Sequence, residues 1–294
     1  AWSSIKGDAV YETSSSSSST NSWDGDYSYA PGSSHPVFLR GGSYSRNSGA
    51  GVFCFYGGNG GGGSTYGFRV VLIGAQPVTL ANAPVLTTGL TPVNWNGTSW
   101  ETTTVANWDY NYNSVATATH STVTGNGNGK WANAQTADGS LYVWIPRYSY
   151  KITSGEHSDG KSWNSLDNPG TNKIEVKFSN GTTDDTSNSY IAHPAFTFGS
   201  QELEGIWVAK YEASQGNTTS QVSAPTSSTS VAKSIPGVAS WRYITVSNMF
   251  DYAYNTYRNA DSHLMKNVEW GAVAYLTNAI GRIPYINNSS SYIT

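Results

Sequence analysis

Few residues in this chain could do covalent or metal chemistry, and their spacing limits them further. Cys54 is the only cysteine, which excludes a disulfide framework, a cysteine-based zinc site and vicinal dithiol chemistry. Asp24 and Asp26, with Asp8 nearby, offer hard oxygen ligands of the kind that bind Ca²⁺, although Asp-Gly-Asp is equally an ordinary turn. Asp184-Asp185 reads as a polar turn. The five histidines (His35, His120, His157, His193 and His263) are scattered, none at helical metal spacing and two before prolines, so structural or surface roles are expected. Glu202, Glu204, Glu212 and Glu269 could in principle pair for glycoside hydrolysis. Glu204 and Glu212 fit strand ends and Glu269 a helix face, so ion pairing is the simpler account. No serine sits on a nucleophile-elbow pattern. Gly57 to Gly63 is no phosphate cradle, because no Lys follows and no helix begins there. The expectation is a protein that is not an enzyme and has no cofactor, with Ca²⁺ at Asp24 and Asp26 as the one alternative.

Residues suited to binding are better represented. The stretch Ser43 to Thr65 combines Tyr, Ser, Gly and Asn, which make good contact surfaces: Tyr gives a large rigid area and the small polar residues adapt. Tyr44, Ser45, Arg46, Asn47, Phe53, Tyr56 and Asn59 are its candidate ligand-binding residues. A solvated loop or a subunit contact is the plainer alternative. Exposed tryptophans could form a sugar-stacking platform, though most of the 11 are expected in the core. Asn-x-Ser/Thr sequons at Asn96, Asn180, Asn217, Asn287 and Asn288 imply glycosylation only in a host that glycosylates.

The composition has an unusual balance. Charged residues make up 12 % of the 294-residue chain, aromatics 13 %, and there are 20 Tyr and 31 Gly. A surface with so little charge must be built from Ser, Thr, Asn, Gly and Tyr. Whole-chain disorder is excluded by the aromatic content, and a coiled coil by the scarcity of Ala, Glu, Lys and Leu. A net charge of −3 gives no electrostatic reason to bind nucleic acid or an anionic membrane. No apolar run approaches the length needed to cross a bilayer, and Ala1-Trp2-Ser3-Ser4 does not read as a signal peptide, so an export signal or anchor is expected outside this sequence. Few lysines and no disulfide suggest a displayed surface protein of a bacterium or phage.

The elements that must position these residues are mostly short strands. Asp8 to Glu12 reads as a strand-like piece, followed by the serine tract Ser14 to Thr20, a loop. Tyr66 to Ile73 reads as a buried strand. Trp95-Asn96-Gly97-Thr98-Ser99-Trp100 is a hairpin signal, Asn-Gly suiting a type I′ turn. Ser140 to Tyr150 reads as a strand that Pro146 breaks or places at an edge. Thr153 to Asn172 reads as polar loop, Lys173 to Phe178 alternates as a strand, and Gly205 to Glu212 is another. Two helices come late. Thr245 to Tyr257 places Val246, Met249, Phe250, Ala253 and Tyr254 on one face. Ser262 to Thr277 places Met265, Val268, Ala272 and Leu276 together, with Ser262 as N-cap. Two helices beside many strands make the class α+β.

These landmarks resemble a known family. Arg40-Gly41-Gly42-Ser43-Tyr44, then Gly67-Phe68-Arg69-Val70-Val71, resembles the closing signature of formylglycine-generating-enzyme-like domains, which have a C-type-lectin-like (sulfatase-modifying-factor-like) fold. Gly205 to Glu212 is similar to the family's early strand. Ser240-Trp241 to Tyr257 and Leu264 to Leu276, with Glu269-Trp270, look like its helix pair. Trp144 to Tyr148 and His193 to Phe196 look like a subgroup of surface, pilin-like and prophage proteins. In lectin-fold proteins diversified by retroelements, the stretch before the Gly-Phe-Arg strand is the variable binding surface.

Two departures stand out. The order is permuted: the closing signature precedes the opening strands, and no central Trp-containing core strand is recognisable between them. Circular permutation, a fragment of a tandem array and exchange between subunits are the alternatives. The oxidising members also carry two copper-holding cysteines after Gly-Gly-Ser, where this chain has one thiol. The resemblance implies a closing segment over residues 1–73, an irregular Thr/Asn/Trp-rich β region over 74–140, and opening strands with the helix pair over 141–294. Residues 1–73 are expected to pack against the Gly205 strand and both helices. The expected function is a non-enzymatic, extracellular structural subunit of a pilus-like filament or phage fibre. It would assemble with copies of itself and display a binding surface to a host-surface glycan or protein. A monomeric carbohydrate-binding or adhesin module is the first alternative, and a glycan-modifying or redox enzyme the second.

Overall fold

The computed structural model describes residues 5–14, 22–23, 26–42, 50–74, 83–110, 130–154, 173–178, 181–216, 222–223 and 231–279. The strands of the first half are β1 (Val37–Arg40), β2 (Phe55–Gly58), β3 (Val70–Leu72), β4 (Leu90–Trp95), β5 (Trp100–Thr102), β6 (Asn133–Thr136) and β7 (Leu141–Pro146). They are followed by β8 (Tyr148–Ser154), β9 (Lys173–Phe178), β10 (Ile191–Ala192), β11 (Thr197–Phe198), β12 (Gln201–Glu202) and β13 (Gly205–Ala209). The last strands are β14 (Val222–Ser223), β15 (Trp241–Arg242) and β16 (His263–Leu264). Two helices, α1 (Val246–Thr256) and α2 (Asn267–Ala279), complete a mixed α+β protein that is mostly sheet.

The run Gly205-Ile206-Trp207-Val208-Ala209 is apolar on both faces, and all five residues are buried. That composition suits a strand inside a sheet covered on both sides. β13 lies within a seven-stranded antiparallel sheet ordered β16-β3-β13-β7-β6-β4-β5. Alternation along the strands separates two cores. Val71, Ile206 and Val208 face a layer made by α2, Trp23, Phe53 and the three-stranded sheet β10-β8-β9. Leu72, Trp144 and Trp207 face Trp108, Trp241 and α1. Trp207 stacks on Trp108 (6.0 Å between centroids, 9° between planes) and is paired across the sheet with Trp144. Gly205 is required here, because a Cβ would stand 2.4 Å from the Trp144 ring.

The first segment packs against this body within the same chain. β3 pairs with β13, Leu72 opposite Trp207 and Val71 opposite Val208. Gly60 and Gly63 carbonyls accept from Val246 and Tyr243 at the entry to α1, and Gly7 and Asp8 lie on α2 at Gly271. The seven-stranded sheet thus draws strands from residues 1–73, 74–140 and 141–294 alike.

Pro146 breaks the predicted Ser140 to Tyr150 strand. The chain leaves the large sheet at Pro146 and enters the small one at Tyr148. Arg147 at the corner is buried and fans its guanidinium onto the carbonyls of Leu203 (2.6 Å), Phe196 (2.6 Å) and Gly181 (3.3 Å), and onto Glu202.

Several sequence expectations need correction. Asp8 to Glu12 is a series of turns, not a strand; Ala9 takes φ +53°, and the Glu12 carboxylate turns back to accept from Gly7 N at 2.6 Å. Of Tyr66 to Ile73 only Val70–Leu72 is strand, and of Gly205 to Glu212 only Gly205–Ala209. Most of Ser14 to Thr20 and of Thr153 to Asn172 lies outside the described residues. The Trp95–Trp100 hairpin forms, but its turn centres on Gly97 and Thr98, with Gly97 at φ +104° and Asn96 N bonded to Ser99 O. A positive φ at the first central residue alone is the type II′ pattern, not I′. Helix α1 starts where expected, capped by the Thr245 hydroxyl, but it buries Met249, Tyr252, Ala253 and Thr256 and leaves Phe250 and Tyr254 exposed. Ser262 is not an N-cap. Its hydroxyl accepts from Tyr257 N and donates to Tyr254 O, closing the end of α1. Helix α2 begins at Asn267, where the Glu269 carboxylate reaches back to Lys266 N (2.7 Å), half of a capping box.

Candidate functional site

The stretch Ser43 to Thr65 divides into three parts. Tyr44, Ser45, Arg46 and Asn47 lie outside the described residues. The residues on either side of 43–49 are in contact: a Cβ on Gly42 would stand 2.7 Å from Ala50 Cα, and Gly51 N donates to Gly41 O at 3.2 Å. Gly42 itself takes φ +73°, which glycine alone adopts readily. Gly41 N donates to Cys54 O, and the Trp270 indole donates to Val52 O at 2.7 Å. These bonds, with one from Cys54 N to Gly51 O and the Asp26 contact below, hold the stem.

Phe53 is corrected: it is a core residue, not a surface ligand contact. Its ring is 1 % exposed and packs edge-on against Trp23 at 5.3 Å. Tyr56 is half-buried in β2, 6.4 Å from the Tyr66 ring. Asn59 is exposed and turns the chain by accepting from Gly61 N. The glycine run that follows lies against the backbone of Tyr243; a Cβ on Gly62 would stand 2.7 Å from its carbonyl carbon.

Asp24 also lies outside the described residues. Asp26 is buried, and its Oδ2 accepts from Phe53 N at 2.8 Å. Its carboxylate fills the space a Cβ on Gly51 would need. Asp26 thus anchors the stem. Among the described residues no group of three His, Cys, Asp or Glu side chains is placed to hold a metal ion. Cys54 is buried at the base of the stem.

Two of the four candidate carboxylates are engaged in ion pairs. Glu202 holds Arg147, and Glu269 holds His263 (2.9 Å) besides capping α2. Glu212 sits against Gly67, where a Cβ would meet its Oε2 at 2.8 Å. His193 is buried among Tyr148, Tyr150, Phe196 and Tyr275, and its Nδ1 accepts from Ala195 N. Burial pulls its pKa down to about 3, so the ring is neutral.

A polar cluster absent from the sequence reading ties the first segment to the body. The buried Glu12 carboxylate accepts from the Tyr150 hydroxyl (2.9 Å) and the Tyr275 hydroxyl (2.7 Å). Burial and this carboxylate push both phenols up. Beside it, Asp8 accepts from the Asn267 amide, and Arg40 donates to Asn267 and to Ala9 O. Burial raises Asp8 to about 6 against the opposing pull of Arg40, and lowers Arg40 to about 10. No local motif announces this cluster, since its members come from both ends of the chain.

Among the described residues, the depression lined by Val70, Tyr142, Ala209, Ala213 and Ala232 is too narrow for a water molecule. No described helix is long and apolar enough to cross a membrane. No family model, curated protein or solved structure matches the chain.

Proposed function

We propose that this chain is a non-enzymatic, extracellular structural subunit of a pilus-like filament or phage fibre, with a C-type-lectin-like, formylglycine-generating-enzyme-like fold, that presents residues of the Ser43 to Thr65 stretch to a host-surface glycan or protein. The observation that carries this reading is the stem. Gly41, Gly42, Ala50 and Gly51 meet, and Trp270, Asp26 and the Cys54 carbonyl fasten them to the core. A variable surface needs such a base, because contact residues can change only where the supporting backbone is held independently of them. Display on a polymer fits the low charge of the chain, since subunit interfaces deplete charge and enrich aromatics. Many weak sites on one polymer then act together through effective concentration.

Solution mass measured against concentration tests the reading. Growth into large species as concentration rises supports a subunit. A chain that stays monomeric at millimolar concentration overturns the filament and leaves a monomeric adhesin module.

A further inference from the structure

We propose that the β4–β5 hairpin carries a second binding site, for a neutral saccharide, in which the Trp95 indole is the stacking platform. β5 is the outermost strand of the large sheet, five positions from β3, so the site is distinct from the Ser43 to Thr65 stretch. This inference does not rest on the filament reading.

Trp95 and Trp100 stand opposite each other across the hairpin, with ring centroids 5.2 Å apart and planes tilted by 54°. Trp23, Trp108, Trp144, Trp207 and Trp241 are buried, whereas Trp95 is 50 % exposed. Leaving so large an apolar ring in water forgoes a substantial burial energy, and nothing in the described structure covers it. The turn that follows it is also held in place. Asn96 Oδ1 accepts from both Thr98 N and Ser99 N at 2.8 Å, and its amide donates to Ser99 and Glu101. Behind the pair, the Lys210 ammonium lies 4.1 Å over the Trp100 ring while donating to Asn133 Oδ1 at 2.8 Å. Lys210 therefore occupies a face of Trp100 and fixes its tilt, and Trp95 is the open ring. A preformed platform loses little conformational freedom on binding.

The surroundings select the ligand class. A pyranose has a face of C–H groups that packs on an aromatic ring and a rim of hydroxyls that needs neutral partners. The residues following Trp95 are Asn96, Gly97, Thr98 and Ser99, and Glu101 and Thr102 follow Trp100; all six are exposed. They offer amide, hydroxyl and carboxylate groups at the rim. The exposed turn is polar. Glu101 and Lys210, with the exposed Asp109–Lys130 pair beside Asn94, balance and set no net field that would favour a polyanion or polycation.

The test uses the full chain made in a host without N-glycosylation, because Asn96-Gly97-Thr98 is a sequon. An array of neutral and acidic oligosaccharides identifies a binder, which calorimetric titration then quantifies. The expected result is retention of a neutral oligosaccharide, with affinity lowered at least tenfold by Trp95→Ala and less by Trp95→Phe. Unchanged thermal midpoints and solution mass in both variants exclude misfolding as the cause. Binding of no neutral saccharide, or equal binding by Trp95→Ala, overturns the proposal. So does a Trp95→Ala variant that loses self-association with glycan binding intact, which would make the hairpin a contact between copies. Replacing residues 44–47 leaves this binding unchanged, so the two sites fail independently.

Discussion

Gly271→Ala separates two opposed expectations with one methyl group. Helix propensity favours the substitution, because glycine inside a helix costs about 1 kcal/mol relative to alanine. The packing opposes it. A Cβ at position 271 would stand 2.0 Å from the Gly7 carbonyl oxygen and 2.8 Å from Asp8 Cα and carbonyl carbon. All three are backbone atoms, so no side-chain rotation relieves the overlap. Reaching ordinary contact requires the 7–8 backbone to withdraw by about 1.4 Å. That movement takes both the 2.6 Å bond from Gly7 N to Glu12 and the 3.1 Å bond from Asn267 to Asp8 beyond hydrogen-bond length. Hydrogen bonds to charged groups contribute about 1.5–3 kcal/mol each, so losing both while gaining propensity predicts a net loss of about 2–5 kcal/mol. Equilibrium urea unfolding followed by tryptophan fluorescence measures it. A variant as stable as the parent, or about 1 kcal/mol more stable as propensity alone requires, would refute the docking of the first segment on α2.

Three further outcomes follow from the same contacts. His193 is held neutral down to about 3; the unfolded chain takes up that proton near 6.5, so its contribution is complete above that pH and lost as pH falls towards 3. Asp8 has the opposite sign: its folded pKa is raised to about 6, so the cost of burying its charge is relieved as pH falls from 6 towards 4. Between pH 7 and 4.5 the two contributions therefore have opposite signs. Asp8→Asn should therefore steepen the acid loss of stability and His193→Gln flatten it, measured as unfolding free energy against pH; curves parallel to the parent contradict the assignment. Arg147→Lys should cost about 3 kcal/mol, because one ammonium cannot satisfy the carbonyls that the planar fork joins; the thermal midpoint reports it. Changing Tyr44, Ser45, Arg46 and Asn47 together to Ser or Gly should leave the unfolding free energy within about 0.5 kcal/mol while abolishing binding to the displayed target; a large stability loss would make them structural.

Much of the strand content was legible because apolar runs and alternation are local. Lys173–Phe178 is a strand over its full expected length, and Pro146 marks the change of sheet because it cannot continue a central ladder. Chemistry that serves either end of an element was misread. Ser262 has the side chain of an N-cap, yet the same hydroxyl serves the end of the preceding helix. The phase of α1 was misjudged because Phe250 and Tyr254 are apolar but stack on each other at the surface, with Arg258 over Tyr254. In the candidate site, composition picked out Phe53 but cannot say which way a ring points. The Glu12 cluster was invisible because its partners lie 138 and 263 residues away, and only the assembled sheet and helix bring them together.

Electron cryomicroscopy of the purified full chain tests the central proposal most directly. The expected result is a repeating filament or fibre in which residues of the Ser43 to Thr65 stretch face outward on every subunit. Isolated particles, or a polymer with that stretch buried between subunits, would contradict it.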